Sequence, residues 1–171
     1  MEMRSEFADN TLGRFLHRSR HWPASVRHFL LGRAFGRRVP YFRTTRCRVV
    51  SIDVAEVAVG VDFARRTRNH VGGVHAIAAT LAAETAAGLL VGQHVADSSV
   101  VVVKTVHMDL TRSYRGSIRA RARVPGQSVA AMRSDARGSI RVDIEVLDSA
   151  GERPMTGYME MVWLPKWRPG P

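Results

Sequence analysis

Asn69-His70-Val71-Gly72-Gly73-Val74-His75-Ala76-Ile77-Ala78-Ala79-Thr80-Leu81-Ala82-Ala83-Glu84 opens an apolar run that continues to Val91. A helix beginning near Gly73 would be apolar almost all round, so a sheet must wrap it. Seven alanines between Ala76 and Ala87 let strands or a partner helix come close. Glu84 is the exception, a carboxylate amid Leu81, Ala83, Ala87 and Gly88. Burying that charge without a partner is costly, which makes Glu84 the first candidate for chemistry.

The flanking segments supply the sheet. Thr45–Ile52 and Ala55–Phe63 are rich in Val and Ile with partial alternation, which predicts a hairpin turning near Asp53. Four more strands read at Ser99–Leu110, Tyr114–Val124, Gly138–Leu147 and Met155–Leu164. Ile118, Ala120, Ala122 and Val124 alternate with Arg119, Arg121 and Arg123, and Ile140, Val142, Ile144 and Val146 alternate with Arg141, Asp143 and Glu145. Each strand therefore has one buried and one wet face, as in a half-exposed antiparallel sheet. Residues 126–137 read as a loop or lengthened hairpin with no assignable role.

Residues 1–38 form a helical extension: Leu12, Phe15 and Leu16, then Val26, Phe29, Leu30 and Ala34, recur at helical spacing, with Pro23 placed to open the second helix. Its arginines, among them Arg14, Arg18, Arg27, Arg33, Arg37 and Arg38, suit a solvated outer face better than a membrane surface. Pro40-Tyr41-Phe42 then breaks the helix. The organisation is an extension (1–38), one domain (39–165) and a short Pro-rich tail (166–171) holding Pro169 and Pro171. The fold class is α+β, an antiparallel sheet of about six strands around one long central helix, which is the hotdog fold.

Composition narrows the setting. At 171 residues and 19.0 kDa one core is expected. No apolar run reaches the ~20 residues of a bilayer-spanning helix, and Arg4, Arg14, Arg18 and Arg20 precede no signal-like apolar segment, so the expected location is the cytoplasm. The single cysteine, Cys47, falls in an alternating strand and reads as a small core residue. The net charge of +11 attracts polyanions, nucleic acid, acidic membranes and phosphate-bearing cofactors alike. The histidines His17, His21, His28, His70, His94 and His107 show no metal-ligand spacing, and neither His-Glu-x-x-His nor Gly-x-Ser-x-Gly occurs. No metal and no resident cofactor is expected.

The chemistry gathers on the central segment. Nine residues separate His75 from Glu84, which on a helix sets them on opposite sides and about 13 Å apart along the axis. They share a site only if two chains pair with these helices antiparallel, and a two-fold dimer then holds two such sites. The first N–H groups of a helix are unpaired and sit at the positive end of its dipole, where they polarise a carbonyl. Gly72 and Gly73 let a backbone come close to a ligand. Asn69 can bond a water or the partner carboxylate, or simply cap the turn. Glu84 facing a polarised acyl group can attack it or activate water, or can pair structurally with an arginine.

Asn69-x5-His75-x8-Glu84, with Gly72-Gly73 between, resembles the active-site segment of the hotdog acyl-CoA thioesterases of the phenylacetate-pathway type. In that pattern Asn, Gly and His-Gly-Gly precede an Asp or Glu on the central helix. The N-terminal helices and Pro40-Tyr41-Phe42 look more like an uncharacterised thioesterase-like branch. The resemblance covers residues 38–164. It implies hydrolysis of an acyl thioester to a carboxylate and free thiol, with coenzyme A as part of the substrate. It also implies Glu84 as nucleophile or base, Asn69 positioning water or the acid, His75 supporting the loop or thioester, and the Ala76 amide as oxyanion contact. The family has Gly where this chain has Ala76, whose methyl narrows the approach.

Arg65, Arg66 and Arg68 before the helix, and Arg112 and Arg115 between two later strands, suit the phosphates of coenzyme A or a solvated basic rim. A homodimer or a dimer of dimers is expected. Two rivals stand beside hydrolysis. One is a hotdog protein that binds acyl-CoA or a lipid without catalysis. The other is a nucleic-acid-binding module using the Arg119, Arg121, Arg123 face, which few aromatics interleave for base stacking.

Overall fold

A computed structural model describes residues 8–166. Arg4, Pro169 and Pro171 lie outside the described residues. The elements are α1 (Thr11–Arg18), α2 (Ala24–Arg38), α3 (Pro40–Thr44), β1 (Cys47–Ile52), β2 (Glu56–Val61), α4 (Ala76–Gly92), β3 (Ser99–Leu110), β4 (Ile118–Arg123), α5 (Ser128–Ser134), β5 (Gly138–Asp148) and β6 (Met155–Pro165). The six strands make one antiparallel sheet in the order β1-β2-β4-β5-β6-β3. This is the hotdog architecture, with β1 and β3 at opposite edges.

Alternation decides which side of each strand meets α4. Val57, Val59 and Val61 of β2, Ala120 and Ala122 of β4, Val142 and Val146 of β5 and Met159 of β6 are fully buried. They meet Ala79, Ala82, Ala83, Ala86 and Leu90, equally buried on α4. Alanine keeps the helix close to the sheet, and dense packing of this kind carries most of the stability. The outer face of β4 is wet: Arg121 pairs with Glu56 and Glu145, and Arg123 with Glu56. Two of the three arginines expected of a nucleic-acid face are thus engaged by neighbouring carboxylates.

The extension is docked at two places. Asn10 caps α1 by accepting from Gly13 N–H at 2.6 Å, and its amide donates to the carbonyls of Gly92 and Val95 at the end of α4. Asp97 accepts from the backbone and hydroxyl of Thr11 and from Arg14. Helix α2 lies along β1 and packs on α3, with Gly32 and Gly36 beside Phe42.

Four local expectations need correction. Pro40 ends α2 but opens the short α3, because a proline lacking an N–H is tolerated at the first turn. Residues 126–137 contain α5, whose Val129 and Met132 reach the core at helical spacing. The strand expected from Tyr114 starts only at Ile118, since Tyr114 drops into the core and Gly116 turns the chain with φ +69°. The central helix begins at Ala76, not near Gly73.

Candidate active site

The segment between β2 and α4 is tied down before it reaches the helix. Thr67 is buried, and its hydroxyl donates to the carbonyls of Asp62 and Ala64. Its own carbonyl accepts from His75 N–H at 2.7 Å, while Asn69 N–H donates to the Gly73 carbonyl at 2.8 Å. The Asn69 side-chain oxygen accepts from Val71 N–H at 3.1 Å and Gly73 N–H at 3.0 Å. Asn69 therefore holds the turn shut with its oxygen, and its amide nitrogen has no partner among the described residues.

Gly72 and Gly73 serve this turn and not the helix. Gly72 has φ +84°, a conformation costly for any residue with a Cβ. A Cβ on Gly73 would sit 3.1 Å from the Tyr114 carbonyl oxygen, so any larger residue would push the loop a few tenths of an ångström off that backbone. Their expected place at the helix entrance falls instead to His75 and Ala76.

His75 is the N-cap of α4: its backbone is extended (φ −65°, ψ 135°) and its Nδ1 accepts from Ile77 N–H at 3.1 Å. In the neutral ring that acceptor role places the proton on Nε2. The His75 carbonyl receives the N–H groups of Ala78 and Ala79, so the first turn is closed. The Ala76 N–H remains. It has no acceptor among the described residues and sits at the positive end of a 17-residue helix.

Glu84 is exposed, contrary to the expectation of a carboxylate enclosed by apolar neighbours. The sheet wraps α4 incompletely. Ile77, Thr80, Leu81, Glu84 and Gly88, at helical spacing, form a face that stays partly or fully open, and a Cβ at Gly88 would meet nothing. The Glu84 carboxylate has no hydrogen-bond or ion-pair partner among the described residues. Strand β3 also touches α4. Its register opposite Met159 and Met155 sets Val106 and Leu110 on the core side of the sheet, yet they are 47% and 51% exposed.

The five arginines separate. Arg65, Arg66 and Arg68 are exposed, on the loop leading to the turn, without acidic partners among the described residues. Arg115 is exposed too, with its backbone N–H held by Asp148. Arg112 donates to Glu152 at 2.8 Å, so part of its charge is already answered. Cys47 is buried in the core and its thiol is pushed up to about 11 by burial, unsuited to nucleophilic work.

Two contributors escaped the sequence. Thr67 shapes the loop through its hydroxyl and carbonyl, and Tyr114 supplies the backbone against which Gly73 rests. A lone threonine among arginines carries no recognisable signal. Tyr114, whose hydroxyl is pushed up to about 12 by burial and bonded to the Met155 sulfur, reads in sequence as a strand residue.

Sheet, central helix and helix-entrance loop together define a hotdog protein. The chain belongs to the family described as Domain of unknown function (DUF4442), which matches residues 27–164. Comparison with curated proteins finds no match. Among solved structures, a Pseudomonas aeruginosa protein of unknown function described as a probable thioesterase is similar, with TM-score 0.71 and 17% identity over 81% of this chain and 96% of that one. A Haemophilus influenzae thioesterase is similar with TM-score 0.62 and 13% identity, covering 73% of this chain and 82% of that one. A mutant form of a second P. aeruginosa thioesterase gives TM-score 0.64 and 16% identity over 92% and 96%. At these identities the likeness establishes a shared fold.

Proposed function

We propose that the protein hydrolyses an acyl thioester, coenzyme A being part of the substrate, at two sites shared between the protomers of a dimer. The supporting observation is an unanswered pair. The Ala76 N–H has no acceptor, and Glu84, eight residues on, has no partner and lies on the open face of the same helix. About 12 Å of helix separates them within one chain, too far to act on one carbonyl. Antiparallel pairing of two α4 helices brings Glu84 of one protomer toward the entrance of its partner. The unpaired edge of β3, with Val106 and Leu110 exposed beside it, is where the second chain joins.

In this arrangement the thioester carbonyl oxygen accepts from Ala76 N–H, and the helix dipole stabilises the charge that develops there. Glu84 takes a proton from water as the water oxygen attacks the carbonyl carbon. The C–S bond then breaks, the sulfur leaves as thiol with that proton, and the acyl group leaves as a carboxylic acid that gives its remaining proton to solvent to become the carboxylate. Direct attack by Glu84 reaches the same products through an anhydride that water hydrolyses. Asn69, with its amide nitrogen free, orients the water or the carboxylate, and His75 fixes the entrance. Arg65, Arg66, Arg68 and Arg115 serve the coenzyme A phosphates, with Arg112 sharing its charge with Glu152.

The experiment is free-thiol release from short, long and aromatic acyl-CoAs by the native protein and Glu84→Gln, both verified as folded dimers. Turnover lost in the variant supports hydrolysis. Binding without turnover in the native protein favours an acyl-CoA-binding hotdog protein.

A further inference from the structure

The positive charge of this chain is concentrated. Residues 10–52 hold ten arginines and no aspartate or glutamate, so all but one of the eleven net charges fall in this stretch. Seven of the ten lie in α2, α3, β1 and the turn between the last two, which pack together at one end of the molecule, whereas α1 is tied to the end of α4. Strand β1 is the sheet edge opposite β3, so pairing at β3 leaves this end free.

Helix α2 carries an unusual outer face. Val26, Phe29, Leu30, Arg33 and Arg37 share one side by their spacing, and all are exposed. Phe29 is 68% exposed, and Trp22, just before the helix, 47%. Apolar side chains thus fill the first half of the face and arginines the second. Beside it, between α2, α3 and β1, runs a groove of about 590 Å³ with Phe42 and Val49 among its floor residues. Its rim includes Arg33, Arg37, Arg43 and Arg46, none with an acidic partner among the described residues. Arg48, also on the rim, is answered by Asp62.

We propose that this end docks on an anionic phospholipid bilayer: the exposure of Trp22, Val26, Phe29 and Leu30 beside Arg33 and Arg37 outweighs the solvated face that the arginines alone suggest. Headgroup phosphates occupy the arginine-rimmed groove, and Trp22, Val26, Phe29 and Leu30 enter the boundary between headgroups and acyl chains. Charge complementarity selects an anionic partner, and the exposed apolar residues select a bilayer among anions. A soluble polyanion answers the arginines but gives Val26 and Leu30 nothing, whereas a membrane surface rewards both. The docking is independent of whether the hotdog site hydrolyses thioesters, because it uses the opposite sheet edge.

The test is co-sedimentation of the full chain with vesicles of phosphatidylcholine alone and with about one-third phosphatidylglycerol. The native protein binds the anionic vesicles at least about tenfold more strongly, and moderate salt weakens binding as the Debye length shrinks. The double change Arg33→Gln, Arg37→Gln weakens binding about 30-fold, at the usual contribution per surface arginine. Phe29→Ser weakens it about tenfold, from loss of one inserted ring. Both sites are exposed, so circular dichroism should match the native protein. Equal binding to neutral vesicles, or to none, overturns the proposal. So does binding of mixed-sequence duplex DNA that shares the arginine dependence while Phe29→Ser changes nothing on either partner, which would make this end a nucleic-acid face.

Discussion

Replacing Ala76 by proline removes one hydrogen and little else. Ala76 is the first residue of α4, where proline is favoured because its fixed φ suits the helix and no intrahelical bond needs its N–H. His75 before it has φ −65° and ψ 135°, in the extended region that a residue preceding proline prefers. No acceptor for the Ala76 N–H exists among the described residues, so the fold loses no hydrogen bond. Stability should therefore change by less than about 0.5 kcal/mol, about 2 °C or less in a domain of this size. Turnover should suffer far more. Loss of one oxyanion donor lowers kcat by roughly 10²–10³. The assay is thiol release at saturating acyl-CoA alongside a thermal melt, with Ala76→Gly, which keeps the N–H, as the active control. A folded Ala76→Pro protein with turnover within a few-fold of native refutes the oxyanion role. A drop of several degrees refutes the claim that this amide is free.

His75→Ala should cost about 1 kcal/mol through the lost cap on Ile77 N–H, a fall of about 2–4 °C in Tm, and His75→Asn should recover most of it; an Asn variant as unstable as Ala would mean the cap is not what His75 contributes. Gly72→Ala should cost about 1–2 kcal/mol at φ +84°, and a neutral melt would show that the turn relaxes freely. Asp97 is held below the ordinary carboxylate value of 3.8, chiefly by the Thr11 backbone N–H. Being depressed in the folded state, it contributes stability that is complete above 3.8 and lost as pH falls from there through the lower folded value. Proteolysis of α1 should accordingly rise on acidification through that window and change less with pH in Asp97→Asn; identical pH profiles would rule the clamp out.

The sheet and its central helix were legible because their periods are unmixed. Val57, Val59 and Val61, or Val142, Ile144 and Val146, can face one core only in a strand, and the Ala76–Val91 run is too long for one. The start of that helix was not legible. Histidine is not among the favoured caps, and the Nδ1 contact to Ile77 appears only once the loop has folded. Glycines that suggested an entrance are turn residues fixed by Asn69 and Tyr114, contacts that local sequence does not encode. The exposure of Glu84 was hidden by its neighbours. Ile77 and Leu81 make the open face as apolar as the buried one, so hydropathy alone cannot tell a core from a surface awaiting a second chain. Helix α5 is not legible in the sequence although Val129 and Met132 carry the right spacing, because seven residues are too few to display a period.

Glu84→Gln and Ala76→Pro together test whether the two halves of the site come from different chains. Each variant homodimer should be nearly inactive. After subunit exchange in an equal mixture, half the dimers should be mixed, each with one intact site and one doubly altered, so thiol release should recover to about a quarter of the native rate. Recovery to that level is the predicted result. Two inactive variants that stay inactive after verified exchange would contradict a site shared between protomers.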